Sequence, residues 1–404
     1  MLKGKKVVLG VTGSIAAYKA VDLASKLTQA GAEVDVIMTR AATQFVTPLS
    51  FRSLTHCPVV TDMFDLQSQW SVEHVALAQR ADVVVIAPAS ANTIAKLAAG
   101  LADEMLTSTV LATRAPVLLA PAMNTGMYEN PITQENLARL KARGFAMVGP
   151  AYGHLAEGGQ GLGRMVEVEE IMGAIRQVLG RKGDLAGYRL VVSAGATQEP
   201  LDPVRHLTNR STGKMGYAIA EAARDRGASV VLVSGPASLS APVGVEVVAV
   251  RTAQEMRDAV VKAVSGAHAL IMAAAVADYR PETSAVQKLK KGPGAVTLKL
   301  VRTPDILEEV RGDFVRVGFA AESERVVENA REKLARKKLD LIVANNITAT
   351  DSGFGTDTNR CILIDRWGGM EELPLMLKSQ VADKVLDRLK AILSQPSGGK
   401  GNVP

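Results

Sequence analysis

The sequence predicts an α/β protein of two domains, each built on a mostly parallel sheet covered by helices on both faces. Three observations carry that expectation. Short β-branched runs alternate with Ala-rich helical stretches, separated by Gly, Ser and Pro turns. The alternation starts afresh near residue 190. The chain has 404 residues, too many for one ordinary core. With 47% hydrophobic and 22% charged residues it is globular, and only 4% aromatics suits Gly- and Ala-rich layers better than a β-sandwich.

The elements follow in order. Val7 to Val11 is a short buried strand and Thr12-Gly13-Ser14 a turn. Ile15 to Ala30 is a helix with Ala17, Val21, Ala24 and Leu27 along its apolar face; Gly31 stops it, and Val34 to Met38 is the next strand. This is a βαβ unit, so its strands are parallel. Val83 to Ala87 is a strand followed by Pro88-Ala89-Ser90-Ala91-Asn92 and an Ala-rich helix. Val117 to Ala120 leads into Pro121-Ala122-Met123-Asn124. Gly180-Arg181-Lys182-Gly183-Asp184 breaks a helix, and the pattern restarts. Arg189 to Ala194 is a strand, Gly195-Ala196-Thr197 a turn, Gly213 to Arg226 a helix and Ser229 to Val233 a strand. The domains are read as 1–189 and 190–404, with a disordered tail at 395–404 rich in Pro, Gly and Lys.

Several classes are excluded. The net charge is +6, and no basic face or run accompanies it, so nucleic acid is not an expected partner. Two cysteines, Cys57 and Cys361, exclude a disulfide scaffold and a Cys-rich zinc module, and fit a reducing cytoplasm. The longest apolar stretch, Ala269 to Ala277, is too short for a membrane span. Lys3, Lys5 and Lys6 before an apolar run imitate a signal peptide. Thr12, Gly13 and Ser14 break that run, and a first buried strand is the better reading.

Ligands of open α/β sheets sit beyond the carboxyl ends of the strands. Thr12-Gly13-Ser14 opens a helix and suits a phosphate, but it lacks the GxGxxG spacing of dinucleotide folds. Ser90, Asn92 and Asn124 lie in equivalent loops. Each alone reads as a helix cap; together they would line one crevice. His74, within Trp70 to Leu77, is as a lone histidine more often structural; its functional reading is a base or donor near neutral pH. Gly158 to Arg164 is a flexible surface loop or a lid, with Arg164 anchoring it or meeting an anion. Asn209 to Gly216 looks like an anion site but not a P-loop, since Thr208 stands where the upstream glycine belongs. Ala273 to Tyr279 ends a strand in small residues, and Asp278 suits a ribose or a metal. Lys288-Leu289-Lys290-Lys291 is a solvated loop or a phosphate clamp. Lys333 and Lys337 share a helix face, either solvated or holding phosphates.

In this order the motifs resemble the bifunctional phosphopantothenoylcysteine decarboxylase / phosphopantothenate–cysteine ligase family of coenzyme A biosynthesis, the Dfp or CoaBC type, from Gly10 to about Leu393. The carrying segments are Gly13 to Ala17, Ala87 to Thr93, Pro121 to Asn124, His74, Asn209 to Gly216, Ala274 to Tyr279, Lys288, Pro304-Asp305-Ile306, Gly318 to Glu322, and Lys333 with Lys337. The resemblance implies a flavodoxin-like (HFCD flavoprotein) first domain and a Rossmann-like ligase domain. It implies FMN on Gly13, Ser14, Ile15, Thr39, Ser90, Asn92, Thr93 and Met123. It makes His74 the catalytic base and Asn124 the grip on the substrate carboxylate. It places CTP on Met272, Ala273, Ala274, Asp278, Lys288, Pro304, Asp305, Ile306, Leu307, Phe319, Lys333 and Lys337, with Asn209 on the acyl-cytidylate and Lys288 at the triphosphate. It further implies 4'-phosphopantothenate and cysteine as substrates, Mg2+ with the nucleotide, and a homo-oligomer. No metal-ligand set is read from the residues themselves.

Family chemistry explains the cofactor. A cysteine carboxylate has no electron sink, and oxidation of its thiol to a thioaldehyde by the flavin provides one. One departure stands out. Where well-known members carry a lid cysteine, taken as the final proton donor, this chain has Glu157, in Leu155-Ala156-Glu157-Gly158. A carboxylic acid donates a proton if burial raises its pKa, but it does not reproduce thiol chemistry.

Overall fold

The computed structural model describes residues 2–64, 73–291, 295–346 and 355–395. The chain forms two compact units, Met1–Gly180 and Arg181–Pro404. The division falls at Gly180 rather than at 189/190, because the connecting segment already belongs to the second unit. Leu185 is fully buried in that unit's core. Its N–H donates to the Arg226 carbonyl at 3.0 Å, and Asp184 pairs with the Arg226 guanidinium at 2.5 Å. The tail read as disordered lies, beyond residue 395, outside the described residues.

The first unit runs β1 (Lys6–Val11), α1 (Ala17–Gln29), β2 (Glu33–Met38), α2 (Pro48–Thr55), β3 (Val59–Val60), α3 (Glu73–Arg80), β4 (Val83–Ala89), α4 (Ala91–Ala99), α5 (Met105–Ala112) and β5 (Val117–Pro121). It continues with α6 (Thr125–Glu129), α7 (Pro131–Ala142), β6 (Ala146–Met147), β7 (Ala151–His154), β8 (Gln160–Arg164) and α8 (Val168–Gly180). The main sheet has the order β3-β2-β1-β4-β5-β6, and every pairing in it is parallel. Every residue of β4 is buried, as a central strand covered on both faces requires. Val8, Val84, Ile86 and Leu119 on one face pack against Ile94, Leu106 and Leu140 from the helices. The chain order reverses between β1 and β4, which opens a crevice at their carboxyl ends.

The second unit runs β9 (Arg189–Ala194), β10 (Gln198–Pro200), β11 (His206–Thr208), α9 (Lys214–Asp225), β12 (Ser229–Ser234), β13 (Glu246–Ala249), α10 (Ala253–Ala263), β14 (Ala269–Met272), β15 (Tyr279–Pro281) and β16 (Leu300–Arg302). It ends with α11 (Ile306–Glu309), β17 (Val315–Glu322), α12 (Val326–Arg336), β18 (Leu341–Asn346), β19 (Thr358–Asp365), β20 (Met370–Leu377) and α13 (Lys378–Leu393). Its main sheet has the order β13-β12-β9-β14-β17-β18-β19-β20. The pairings from β13 to β18 are parallel. β18–β19 and β19–β20 are antiparallel. This antiparallel extension has a local cause. The Asp365 carboxylate accepts the N–H groups of Trp367 and Gly369, both at 2.9 Å, and closes a tight turn between the last two strands. α13 then buries Val381, Val385, Leu386 and Leu389 in the same core as β19. Here too the strand order reverses beside the first strand, between β9 and β14. Among the described residues no helix is long and apolar enough to cross a membrane.

Candidate active sites

Thr12 fixes the first crevice. Its buried hydroxyl donates to the Pro88 carbonyl at 2.7 Å and accepts the Ser90 N–H at 3.0 Å, so the loops after β1 and β4 are joined. The loop after β2 lies directly on the first one: a Cβ on Gly13 would sit 2.5 Å from that of Ala41, too close for any side chain. Together the loops enclose a cavity of about 320 Å³. Gly13, Ser14, Thr39, Ser90, Asn92, Thr93 and Met123 line it, with Arg40, Ala41, Glu104 and Met127. Ile15, placed with them by the sequence, is exposed and outside that lining. Ser90 also caps α4, its hydroxyl accepting the Thr93 N–H at 3.3 Å, so the structural and the binding readings coexist. The N-terminal ends of α1 and α4, several hydroxyls and small residues suit a phosphate monoester.

Asn124 begins α6. Its Oδ1 accepts the Gly126 N–H at 2.7 Å, while its Nδ2 donates to Glu157 Oε1. Glu157 lies at the tip of an antiparallel hairpin, β7–β8, so the Gly-rich segment read as a flexible loop is an ordered ribbon. Two of its glycines, Gly161 and Gly163, leave no room for a side chain. A Cβ on Gly161 would overlap Thr125, and one on Gly163 would overlap the Met123 carbonyl. The Met123 N–H donates to the Gly163 carbonyl at 3.0 Å. Arg164 anchors the base of the ribbon on Glu167, which also accepts the nearly buried Lys19 ammonium at 3.0 Å.

His74 is placed differently. It lies in the first turn of α3, partly buried, and does not line the cavity. The residues before it in its motif, Trp70 to Val72, lie outside the described residues.

In the second unit a Cβ on Gly216 would lie 2.7 Å from the Ser193 carbonyl, so α9 begins directly against the end of β9. The small-residue strand end is stitched to the same place. Ser193 Oγ accepts the Ala274 N–H at 3.1 Å, and Thr197 Oγ1 the Ala277 N–H at 2.9 Å. Asn209 Nδ2 donates to the carbonyls of Ala275 at 3.2 Å and Val276 at 3.3 Å. Lys333 Nζ donates to the Phe319 carbonyl at 2.8 Å. Burial pushes its pKa down, against the pull of Glu322 and Asp278. Lys337 Nζ donates to Asp305 and, at 2.7 Å, to Glu308. Burial opposes its charge, but the two carboxylates outweigh it and hold the pKa above the lysine range. Neither lysine therefore belongs to a freely solvated face. Asp305 itself caps α11, accepting the Glu308 N–H at 3.3 Å.

Lys288 is exposed, on the irregular segment between β15 and β16. That segment rests on the loop after β10. The Ala285 N–H donates to the Leu201 carbonyl at 2.9 Å, and the Leu289 N–H donates to Asp202 Oδ2 at 3.1 Å. The hydrogen bonds of Arg205, at 2.9 and 2.5 Å, hold the Asp202 carboxyl well below the usual carboxylate range. Among the described residues no group of His, Cys, Asp and Glu is arranged for a metal ion.

Known proteins resolve what this pair of sites belongs to. The flavoprotein family matches residues 1–180, and the DNA/pantothenate metabolism flavoprotein C-terminal domain matches residues 185–393. The coenzyme A biosynthesis bifunctional protein CoaBC of Bacillus subtilis is 46% identical over 401 residues, covering 98% of this chain and 99% of the relative. The chain belongs to the CoaBC family. Its Escherichia coli K12 relative of the same name is 44% identical over 397 residues, 96% of this chain and 97% of the relative. The crystal structure of the C-terminal domain of a CoaBC protein matches with 40% identity and a TM-score of 0.45, covering 52% of this chain and 98% of that one. The chain is a bifunctional enzyme of coenzyme A biosynthesis, a phosphopantothenate–cysteine ligase and a phosphopantothenoylcysteine decarboxylase in one polypeptide.

In this CoaBC-family chain the flavoprotein half holds the first cavity, and the other half holds the cluster around Lys333. Sequence reasoning missed Arg40, Glu104, Asp202 and Glu308. Arg40 had a usable signal, since it stands two residues after β2 at a carboxyl strand end. Glu308 had none. It meets Lys337 only through the fold.

Proposed function

We propose that the first unit holds FMN in the β1/β4 crevice and decarboxylates 4'-phosphopantothenoylcysteine there. In the same reading the second unit joins 4'-phosphopantothenate to cysteine at the expense of CTP. The observation that supports this best is the closure of the strand-end loops on one cavity, with Asn124 and Glu157 linked at the hairpin beside it. Gly13, Ser14 and Thr39 would hold the flavin phosphate, and Ser90, Asn92, Thr93 and Met123 the ring side. When bound, the flavin supplies the two-electron oxidation that gives the substrate an electron sink. Asn124 has both its amide groups fixed, one by the helix cap and one by Glu157, so it presents a pre-set donor to a carboxylate. Glu157, exposed at the hairpin tip, sets one carboxyl oxygen on that donor, and we assign it proton delivery in place of a thiol. His74 keeps its assignment as base on the motif alone.

In ligation the carboxylate of phosphopantothenate attacks the α-phosphorus of CTP. An acyl–phosphate bond forms and pyrophosphate leaves. The cysteine amine then attacks the acyl carbon, and CMP leaves. Charge gathers on the phosphates in the first step, and cations with Mg2+ from solution offset it. Lys288 is assigned to the triphosphate. Asp278, Phe319, Lys333 and Lys337 are assigned to the nucleotide, and Asn209 to the acyl-cytidylate.

Purified protein is expected to be yellow. With phosphopantothenate, cysteine, CTP and Mg2+ it is expected to yield phosphopantetheine, CO2, CMP and pyrophosphate. His74→Asn should abolish CO2 release and leave ligation intact, and Lys288→Gln should do the reverse. Colourless protein, or turnover with ATP and none with CTP, would refute the corresponding half.

A further inference from the structure

Asp202 is a carboxylate with no side-chain exposure, and its bonds reach beyond its own turn. Oδ1 accepts the N–H groups of Val204 and Arg205, both at 2.8 Å. Oδ2 accepts the Arg205 guanidinium, at 2.9 and 2.5 Å, and the Leu289 N–H, from a residue far along the chain. The same guanidinium donates to the Leu289 carbonyl at 2.7 Å. Both backbone groups of Leu289 are thus satisfied by one pair of side chains, as a neighbouring strand would satisfy them. The Ala285 N–H adds a second anchor on the Leu201 carbonyl.

Lys288 lies between these anchors, next to Leu289. Its ammonium makes no hydrogen bond or ion pair with any described residue, so every restraint on it acts through the backbone on either side. A lysine carries its charge on a flexible four-carbon stem. Fixing its Cα removes much of the search that would otherwise precede contact with a phosphate.

We propose that Asp202 is a positioning residue for the ligase reaction: with Arg205 it docks the Ala285–Leu289 segment so that Lys288 reaches the nucleotide triphosphate from a fixed backbone. This rests on the assignment of Lys288 to the triphosphate. Docking is a separate property, and it is read without turnover.

The experiment compares amide hydrogen exchange and steady-state ligation in the full chain for wild type, Asp202→Asn and Lys288→Gln. Asp202→Asn is expected to speed exchange across 285–289 by roughly tenfold or more, the loss of a charged hydrogen bond. The amides of β9 and β14 should stay protected. Ligation kcat should fall roughly 10²-fold with KM for CTP little changed, the signature of misplacement rather than lost binding. Lys288→Gln should lose ligation with the segment still protected. An Asp202→Asn segment that stays protected, or one that opens while kcat holds, would overturn the proposal. Normal ligation by Lys288→Gln would overturn the role of Lys288, whatever the exchange shows. If Asp202→Asn also deprotects β9, Arg205→Lys replaces it, since Arg205 is half exposed and makes the same contact from the rim. The same outcomes then apply.

Discussion

Arg40 is the one cation lining the first cavity among the described residues. Its guanidinium makes no hydrogen bond or ion pair with them, whereas Glu104 across the lining is paired with Lys96 at 3.4 Å. An unspent guanidinium beside hydroxyls and a helix N-terminus is suited to a phosphate. Arg40→Gln is therefore expected to weaken FMN about tenfold and to leave riboflavin, which lacks the phosphate, unchanged. Fluorescence titration of the apoprotein with both flavins checks this, and an equal loss for both would place Arg40 away from the phosphate. Gly13 and Ser14 were singled out in the sequence because a small-residue turn after a strand opens a helix N-terminus, and both line the cavity. Arg40 was not, since an arginine after a strand is ordinarily solvated. Its place is set by the contact between Gly13 and Ala41. Lys333 and Lys337 make the same point. Their shared spacing hides different partners, a carbonyl for one and two carboxylates for the other.

At the scale of elements, continuous β-branched runs made β1, β2, β4, β9 and β12 legible nearly to their ends. The β7–β8 hairpin was not. Its second strand is glycine at every other position, and its burial alternates only because Met123, Asn124 and Thr125 pass beneath it. Gly163 adopts φ of 149°, and a side chain there would meet backbone rather than a movable group. Gly163→Ala is expected to cost on the order of 1–3 kcal/mol locally. The hairpin amides should exchange faster and the Asn124–Glu157 link should be lost. CO2 release should fall while ligation continues. Unchanged exchange at Gly161 to Arg164 would show that the ribbon does not depend on this fit. The β19–β20 pair also escaped the sequence reading, although Gly368 and Gly369 mark its turn, because two amphipathic strands near a chain end do not reveal whether they extend an existing sheet.

At the scale of the molecule, the strand order of both units reverses beside the first strand, at β1 and at β9, where open α/β sheets offer a crevice to ligands. The two βαβ starts were legible in the sequence, and the compact units of the structure meet at Gly180, ahead of the second start. The position of His74 was not legible, because nothing in a motif says toward which cavity its helix turns. Cys361 shows a different consequence of burial. It is enclosed in the second core, and burial pushes its thiol up to about 12 from an ordinary value of 9.0. The folded chain therefore keeps a proton that the unfolded chain releases. This contribution to stability is complete below pH 9 and is lost as pH rises toward 12. Native protein at pH 8 should leave Cys361 unreacted with Ellman's reagent until denaturant is added, and rapid modification of the native fold would contradict its burial. Burial, and then Asp35, raise Cys57 as well. An enzyme whose substrate and product are both thiols thus keeps Cys361 buried and protonated at neutral pH, so a disulfide formed by stray oxidation of those thiols finds no thiolate there to attack it and exchange onto the protein.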